Sequence, residues 1–392
     1  MVTNEAYIVA AARTAGGRRG GKLKDWHPAD LSAAVLNALV DRAGVDPAAV
    51  EDVIMGSVSQ VGEQSLSIGR NAVLASKLPE SVPATSIDRQ CGSSQQALHF
   101  AAQAVQSGAM DIVIAAGVES MTRVPMGLPS TLAAKNGFGD STSPGMKARY
   151  PGIIFSQFDG AETMAVKYGF DRDALDRFAL QSHRRATSAQ DRGAFDPEII
   201  PIDVTDAEGR TERHVRDEGV RREASLSGIT SVKLLKEGGR ISAANASQIC
   251  DGASGLLVVS ERGLKRIEVA PLARVHQMTV IGEDPVIMLE APINATRRAL
   301  ARAGMTIDDI DLYEVNEAFA SVPLAWLKEL KADPERLNVN GGAIALGHPL
   351  GASGAKLMAT LIYALKARGK RFGLQTMCEG GGLANVTIVE AL

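Results

Sequence analysis

The chain contains few of the residues that would point to several common classes of protein. Its three cysteines are odd in number and lie far apart without CxxC or CxxH spacing, which argues against a disulfide framework or a zinc site. Its net charge is only −3, so nothing suggests a nucleic acid or an anionic membrane as partner. The apolar run at residues 7–12 ends at Arg13, is too short for a membrane span and predicts a buried strand. We therefore expect a cytoplasmic protein with reduced thiols and no bound metal.

Large side chains are also scarce. Aromatic residues make up 4% of the chain, whereas glycine occurs 39 times and alanine is abundant, so helices and strands can approach closely and a compact α/β fold is favoured. At 392 residues the chain is too long for one simple core, and two or three domains are expected.

Two parts of the sequence repeat each other at a constant distance of 260 positions. Residues 31–57 read as a helix, a turn at Gly44 and a strand, and residues 291–317 read in the same way with Gly304 at the turn. The same offset places Cys91 on Gly351, each ahead of a long alanine-rich helix, and pairs the apolar segments 111–117 and 371–377 as buried strands. The repeat predicts a duplicated α/β domain with pseudo-twofold symmetry, with chance similarity between two ordinary βα units as the alternative.

Residues 121–245 interrupt this repeat. They hold a Pro- and Gly-rich stretch at 124–145, an amphipathic helix at 172–190 and a charged segment at 203–223. An insertion of this size after a strand usually builds a lid or a binding surface. We therefore predict an N-terminal α/β half at 1–120, completed by about 246–270, an inserted loop domain at 121–245, and a C-terminal α/β half at 271–392.

Cys91 is the first candidate for chemistry. It follows a predicted strand and precedes a predicted helix at 93–106, whose free amides and dipole would stabilise a thiolate. For an arbitrary cysteine, a buried and inert side chain is the commoner state. Here Gly92 and the two serines at the helix start favour a nucleophile.

His348 is the only histidine of the six that lies in a glycine-rich loop, at 341–351. Histidine is the natural base for a thiol near neutral pH, and glycines let a ligand approach the backbone. A surface histidine in a loop is an equally good interpretation of the spacing alone.

Two further segments carry candidate groups. Cys378 begins a triple-glycine turn after a predicted strand, and the backbone amides of such a turn can converge on an oxyanion. The rival interpretation, a phosphate-binding loop, lacks its Gly-Lys-Ser/Thr ending. Asn316 closes another predicted strand and could orient a water or a carbonyl, although such residues more often form turns. We interpret Cys250 as structural.

Taken together and in this order, these motifs resemble the thiolase family over essentially the whole chain. The resemblance rests on the Cys91 segment and on residues 117–121, 245–247, 316–319, 341–354 and 378–382. The chain is similar to acetyl-CoA acetyltransferases and 3-ketoacyl-CoA thiolases. This resemblance implies a duplicated fold of five α/β/α/β/α layers with an inserted loop domain that binds CoA. The implied activity is acyl transfer, in which a 3-ketoacyl-CoA and CoA give acetyl-CoA and a shortened acyl-CoA. No cofactor is implied beyond CoA as a substrate, and family members are usually dimers or tetramers.

The resemblance also implies roles for single residues. Cys91 would carry the acyl group, His348 would take its proton, and Cys378 would exchange a proton with carbon 2 of the acetyl unit or with CoA. Asn316, through a water, and His348 would polarise the thioester oxygen, and the backbone amides of Cys91 and Gly380 would form a second oxyanion site. The implied substrate and CoA contacts come from Ser247, Phe319 and Arg221, with Arg222 as a competitor for the last.

The sequence departs from the acetoacetyl-specific pattern in its insert. Residues 155–159 stand where many short-chain biosynthetic members carry His-Met-Gly, and residues 89–96 are similar to degradative thiolases of actinobacteria, some of which act on bulky steroid-derived acyl-CoAs. A degradative thiolase is therefore the first hypothesis. The alternatives are a biosynthetic acetyl-CoA acetyltransferase, a ketoacyl synthase, which would carry a histidine or glutamate where Cys378 stands, and a non-catalytic acyl-CoA-binding relative, which would lack a reactive position.

Overall fold

A computed structural model describes residues 5–392 of the protein. The N-terminal part of the chain alternates strands and helices, as predicted. Its elements are β1 (Tyr7–Thr14), β2 (Gly17–Arg18), α1 (Pro28–Ala43), β3 (Asp52–Gly56), α2 (Ile68–Ala75), β4 (Ala84–Ile87), α3 (Ser93–Gln106) and β5 (Ile112–Ser120).

The insert follows β5 and contains mostly helices. Its elements are α4 (Leu128–Lys135), α5 (Pro144–Arg149), α6 (Gln157–Lys167), α7 (Arg172–Asp191), β6 (Ile199–Ile200), β7 (Ile202–Thr205), β8 (Thr211–His214) and α8 (Leu226–Thr230). Helix α7 is the amphipathic helix that the sequence predicts, and part of the charged segment forms the β7–β8 hairpin.

The remaining chain completes the first half and builds the second. Its elements are β9 (Cys250–Val259), α9 (Glu261–Ile267), β10 (Ala273–Gly282), α10 (Ala291–Ala303), β11 (Leu312–Val315), α11 (Ser321–Leu330), α12 (Ala343–Leu346), α13 (Ser353–Ala367), β12 (Phe372–Glu379) and β13 (Leu383–Ala391). In the part of the chain that the structure describes, no helix combines the length and the apolar character needed to span a bilayer.

The repeat predicted from the sequence is confirmed by the topology. Strands β3 and β5 pair in parallel, β5 with β9 and β9 with β1 antiparallel, and β11, β12, β13 and β10 repeat that pattern in the same order. Gly44 and Gly304 both end their helices in the left-handed conformation, with φ of 59° and 65°. The chain therefore folds as two copies of one α/β unit, and chance similarity is excluded.

The two copies form five layers, and three hydrophobic clusters fill the spaces between them. One cluster packs α1 and α2 on the outer face of the first sheet, and another packs α10 and α11 on the outer face of the second. The third surrounds α3 and α13, which lie side by side between the sheets. The sheets also touch at one edge, where β1 and β10 pair through Tyr7–Arg274 and Ile8–Ala273. The boundaries proposed above for the two halves and the insert stay a prediction.

The predicted first buried strand is present, and it extends past the apolar run through Arg13. Strand β1 continues to Thr14, and the Arg13 side chain is fully buried. Its guanidinium contacts Glu198 at 2.7 Å and Asp217 at 2.8 and 3.1 Å, and both carboxylates come from the insert. A buried charge is tolerated in a strand when such partners compensate it.

Candidate active site

The N-termini of the two central helices meet in the middle of the molecule. The Ser94 hydroxyl at the start of α3 accepts a hydrogen bond from the backbone amide of Ala355 in α13, at 2.9 Å. Only a glycine fits at position 354, because a Cβ there would lie 2.2 Å from the backbone nitrogen of Gln95. This close approach brings Cys91, just before α3, into the same region as His348, just before α13.

Cys91 lies at the wall of a cavity of about 1090 Å³. The preceding Gln90 adopts a left-handed conformation with φ of 49°, and Asp88 accepts a hydrogen bond from the Gln90 amide at 2.6 Å. Burial, followed by the neighbouring Cys378 and Glu379, raises the pKa of Cys91 well above its usual range. Desolvation therefore outweighs the stabilisation that the helix start offers to a thiolate, and the resting group is a thiol that needs a base.

His348 is buried, so the surface interpretation of this histidine is wrong. Burial and the nearby Lys356 charge lower its pKa to about 3, so the imidazole is neutral. The Ser353 hydroxyl donates its hydrogen to the carbonyl of Pro349 at 2.9 Å and must therefore accept one from Nδ1 of His348. This assigns the proton to Nδ1 and leaves Nε2 as an unprotonated base.

Asn316 follows β11 and lies beside this base. Its Nδ2 donates to Nε2 of His348 at 3.3 Å. Its Oδ1 is buried and has no hydrogen-bond partner among the described residues. A buried amide oxygen of this kind is suited to hold a water molecule, because an unsatisfied buried acceptor is costly.

Cys378 occupies the penultimate position of β12, ahead of the glycine turn. Burial and the adjacent Glu379 raise the pKa of Cys378 to about 12, so it too is a thiol at rest. The Glu379 carboxyl lies against the nucleophile segment, because a Cβ at Gly92 would approach Oε1 of Glu379 to 1.9 Å. The segments that carry the two reactive cysteines are thus in direct contact.

The cavity runs from the glycine turn to the insert. Cys91, Leu350, Gly380 and Gly381 line its inner wall, whereas the outer wall consists largely of insert residues, among them Met126, Phe138, Met146, Tyr150 and Phe155. The backbone amides of Cys91 and Gly380 donate to no protein oxygen within residues 5–392. Two free amides on one cavity wall can receive an oxyanion.

The predicted CoA-binding residues do not line the cavity wall that carries Cys91 and Gly380. Ser247 and Phe319 lie instead along the segment that begins at Asn316. The backbone of Ser247 donates to the carbonyl of Ala318 at 2.9 Å, which sets residues 245–247 along residues 316–319. Phe319 is buried and contacts Phe158 of the insert edge to face. Arg221 is exposed and has no acidic partner within 4.0 Å in the described part of the chain, whereas Arg222 pairs with Asp191 at 2.6 Å.

Two family models match the chain in succession. The thiolase N-terminal domain matches residues 6–262 and the thiolase C-terminal domain matches residues 269–391. The chain belongs to the thiolase family.

Individual relatives are similar over their full lengths. A steroid 3-ketoacyl-CoA thiolase from Mycobacterium tuberculosis is 49% identical over 393 residues, which cover 100% of this chain and 95% of that protein. An acetyl-CoA acetyltransferase from Chromobacterium violaceum is 40% identical, with 98% and 99% covered. Among solved structures, the acetyl-CoA acetyltransferase of Bacillus anthracis superimposes with a TM-score of 0.91 at 35% identity, covering 100% and 99% of the two chains. Human mitochondrial 3-ketoacyl-CoA thiolase gives 0.90 at 35% identity and 100% of both chains.

Two buried glutamates of this thiolase support the site, and sequence reasoning missed both roles. Glu317 accepts hydrogen bonds from Ser182, from Asn338 and from the amide of Ile344, and so ties the loop ahead of His348 to the insert. Glu119 accepts from four N–H groups, one of them the amide of Gly351. Both lie within motifs that the resemblance uses, but their roles depend on partners far away in the sequence.

No group of three His, Cys, Asp or Glu side chains within residues 5–392 is arranged to hold a metal ion.

Proposed function

We propose that this thiolase cleaves 3-ketoacyl-CoA with CoA through an acyl group carried on Cys91. The observation that carries the proposal is the neutral His348 with its unprotonated Nε2 at a site where Cys91 and Cys378 are both protonated thiols. A buried thiol becomes a nucleophile only when a base removes its proton, and this imidazole is in the form that can do so.

The first half-reaction breaks the carbon–carbon bond. His348 takes the proton of Cys91, and the thiolate attacks carbon 3 of the substrate. The bond between carbons 2 and 3 then breaks, its electron pair moves to carbon 2, and Cys378 gives its proton to that carbon, which releases acetyl-CoA. In the second half-reaction, the Cys378 thiolate deprotonates CoA, and the CoA thiolate removes the acyl group from Cys91. The protonated His348 then returns its proton to the Cys91 thiolate, which restores the enzyme.

Two oxyanion sites accompany these steps. The buried Oδ1 of Asn316, which lacks a partner among the described residues, supports a water at the thioester oxygen next to His348. The free amides of Cys91 and Gly380 support a second site for the charge that develops on the attacked carbonyl. Donors aimed at a developing charge in a buried site usually account for the largest share of catalysis.

For CoA itself we propose contacts with Ser247, Phe319 and Arg221. The choice of Arg221 over Arg222 rests on the ion pair of the latter, since Arg222 already neutralises Asp191 whereas Arg221 is free to meet a phosphate. Ser247 and Phe319 lie on adjoining backbone segments next to Asn316, which would place the pantetheine arm beside the reacting centre.

We infer that the acyl substrate is larger than acetoacetyl. The cavity of about 1090 Å³ has an apolar outer wall from the insert, including Phe138, which is 84% exposed, and Tyr150, which packs edge to face on Phe155. A small acetoacetyl unit would leave most of that wall unused. The relative that is 49% identical is named for steroid 3-ketoacyl-CoA, which agrees with a bulky acyl group.

We further infer a cytoplasmic homodimer or homotetramer. The three cysteines are free, as expected in a reducing compartment. Strand β4 lies at the end of the sheet order with one edge unpaired in the described residues, and Leu66 nearby is 89% exposed. An open edge beside an exposed leucine is suited to pair with a second copy.

The decisive experiment is CoA-dependent cleavage of a panel of 3-ketoacyl-CoAs, from four carbons to ring-bearing acyl groups. We expect the highest kcat/KM for the larger members and release of acetyl-CoA from each. If acetoacetyl-CoA is the best substrate, the enzyme is of the biosynthetic type. If no member is cleaved while CoA esters still bind, the chain is a binding protein.

A further inference from the structure

A buried lysine that the mechanism above does not use lies directly behind the His348 loop. Lys356 is only 4% exposed and stands on α13, one turn after Ser353. Its Nζ donates to the carbonyl of Leu346 at 2.6 Å and to the carbonyl of Gly347 at 3.2 Å. These are the two peptide units that precede His348, so the lysine holds the backbone of the base while Ser353 holds its ring.

The amine of Lys356 faces acceptors on every side that the structure describes. Two are the carbonyls just named, and the third is the Asp217 carboxylate of the insert, which approaches Nζ to 3.9 Å. Asp217 is also paired with Arg13 of β1, which in turn contacts Glu198 of the insert. Burial lowers the pKa of Lys356, whereas the Asp217 carboxylate opposes that shift and favours the charged amine.

The titratable groups facing Lys356 are therefore Asp217, Glu198, Arg13 and the buried thiol of Cys250 on β9. Around His348, the other ionisable side chains of the site are the Cys91 and Cys378 thiols, which are neutral at rest, and the Glu379 and Glu119 carboxyl groups, which raise the pKa of Cys91. Within residues 5–392, burial and then the charge of Lys356 lower the pKa of His348.

We propose that Lys356 is the positioning residue of the catalytic base: it fixes the two peptide carbonyls ahead of His348 and so aligns the imidazole with the Cys91 thiol. The inference rests on the proposed role of His348 as the base for Cys91. A positive charge near an imidazole disfavours imidazolium, and a displaced base loses its alignment with the thiol. Lys356 itself touches no reacting atom.

Three substitutions separate the hydrogen bonds from the charge. Lys356→Met removes both, Lys356→Gln keeps a donor without charge, and Lys356→Arg keeps the charge. The measurements are steady-state kcat and KM and the pH profile of Cys91 alkylation by iodoacetamide. For Lys356→Met we expect kcat to fall about 10²-fold with little change in the KM for CoA, in line with the effect of a misplaced group. The acid limb of the alkylation profile should move to higher pH in the Met and Gln variants and stay in place in the Arg variant.

The controls distinguish this inference from the proposed function. Lys366→Met on the same helix removes an exposed lysine that contacts only the chain terminus, and it should leave both measurements unchanged. His348→Asn should slow alkylation; if it does not, the proposed base is wrong irrespective of Lys356. If His348→Asn slows alkylation but Lys356→Gln keeps the acid limb and kcat of the unmodified enzyme, the role of Lys356 is overturned. Should Lys356→Met fail to fold, the Gln and Arg variants decide.

Discussion

The two halves of this thiolase place different chemistry on the same structural frame. Helices α3 and α13 occupy equivalent positions, and each begins with a serine that donates to a carbonyl three or four residues earlier: Ser93 to Gln90, and Ser353 to Pro349. In the first half this turn presents Cys91. In the second half it presents His348, and the position equivalent to Cys91 is Gly351.

The comparison shows why one half alone has no active site. The nucleophile comes from the first copy, whereas the base, the second thiol and Asn316 come from the second. The pseudo-twofold contact between the helix starts, with Ala355 bonded to Ser94, brings them together. The two copies therefore share one backbone arrangement, and the active site forms because their side chains differ at equivalent positions.

The largest expected effect follows from removing the group that only the first half supplies. Cys91→Ala should lower turnover at least about 10⁴-fold, as loss of a covalent nucleophile does elsewhere. The fold should persist because a small residue is tolerated at a helix start. Labelled acetyl-CoA should leave no acyl group on the variant, whereas Cys250→Ala, the control for the third buried cysteine, should load normally. Retained turnover in Cys91→Ala would exclude it as the nucleophile.

Removing the second thiol tests the division of labour between the halves. Cys378→Ala should still accept an acyl group slowly on Cys91, because His348 and the nucleophile remain. Proton exchange at carbon 2 of acetyl-CoA should be blocked, because Cys378 is the proposed proton donor and acceptor at that carbon. Mass spectrometry of the loaded enzyme and deuterium incorporation into acetyl-CoA measure the two steps separately. Exchange at the normal rate would contradict the role of Cys378.

Replacing the proposed base should lower the rate less than replacing the nucleophile does. His348→Asn should slow iodoacetamide alkylation of Cys91 about 10²- to 10³-fold, the usual contribution of general base catalysis. His27→Asn is the matched control, because His27 is only half-buried and caps α1 through its side chain, and asparagine is a good cap. An alkylation rate equal to that of the unmodified enzyme in His348→Asn would show that another group activates the thiol.

Sequence reasoning was most successful where the signal was local or repeated. The constant offset predicted the paired strands and helices, and α3 begins and ends where the sequence placed it, at Ser93 and Gln106. It could not predict the buried ion pairs of Arg13 or the raised pKa of Cys91, because both depend on burial and on partners such as Glu198 that lie far away in the chain. For the same reason the supporting roles of Glu119 and Glu317 were not visible: a glutamate after a strand carries no local sign of the amides that will face it.

Glu119 and Glu379 allow the two halves to be compared at a single residue type, since they occupy equivalent positions at the ends of β5 and β12. The Glu119 carboxylate accepts from Val58, Ser59, Gln64 and Gly351 and is fully satisfied. Glu379 has one partner, the Asn385 amide, which donates to Oε1 at 2.9 Å when its nitrogen faces the carboxyl. Its Oε2 is buried without a partner in the described residues, and burial raises the pKa of Glu379 well above the usual range.

The same substitution should therefore have unequal effects at these two positions. Glu119→Gln places an amide donor among four N–H donors, so at least one hydrogen bond to a charged group is lost and a repulsive contact is created. We expect a cost of about 2–3 kcal/mol in stability. Glu379→Gln replaces a neutral carboxyl by a neutral amide that can keep its Oε1 contact, and the expected cost is about 1 kcal/mol or less. Thermal unfolding of both variants at pH 7 measures the difference. Equal losses would contradict the conclusion that the two equivalent glutamates differ in how fully their oxygens are hydrogen-bonded.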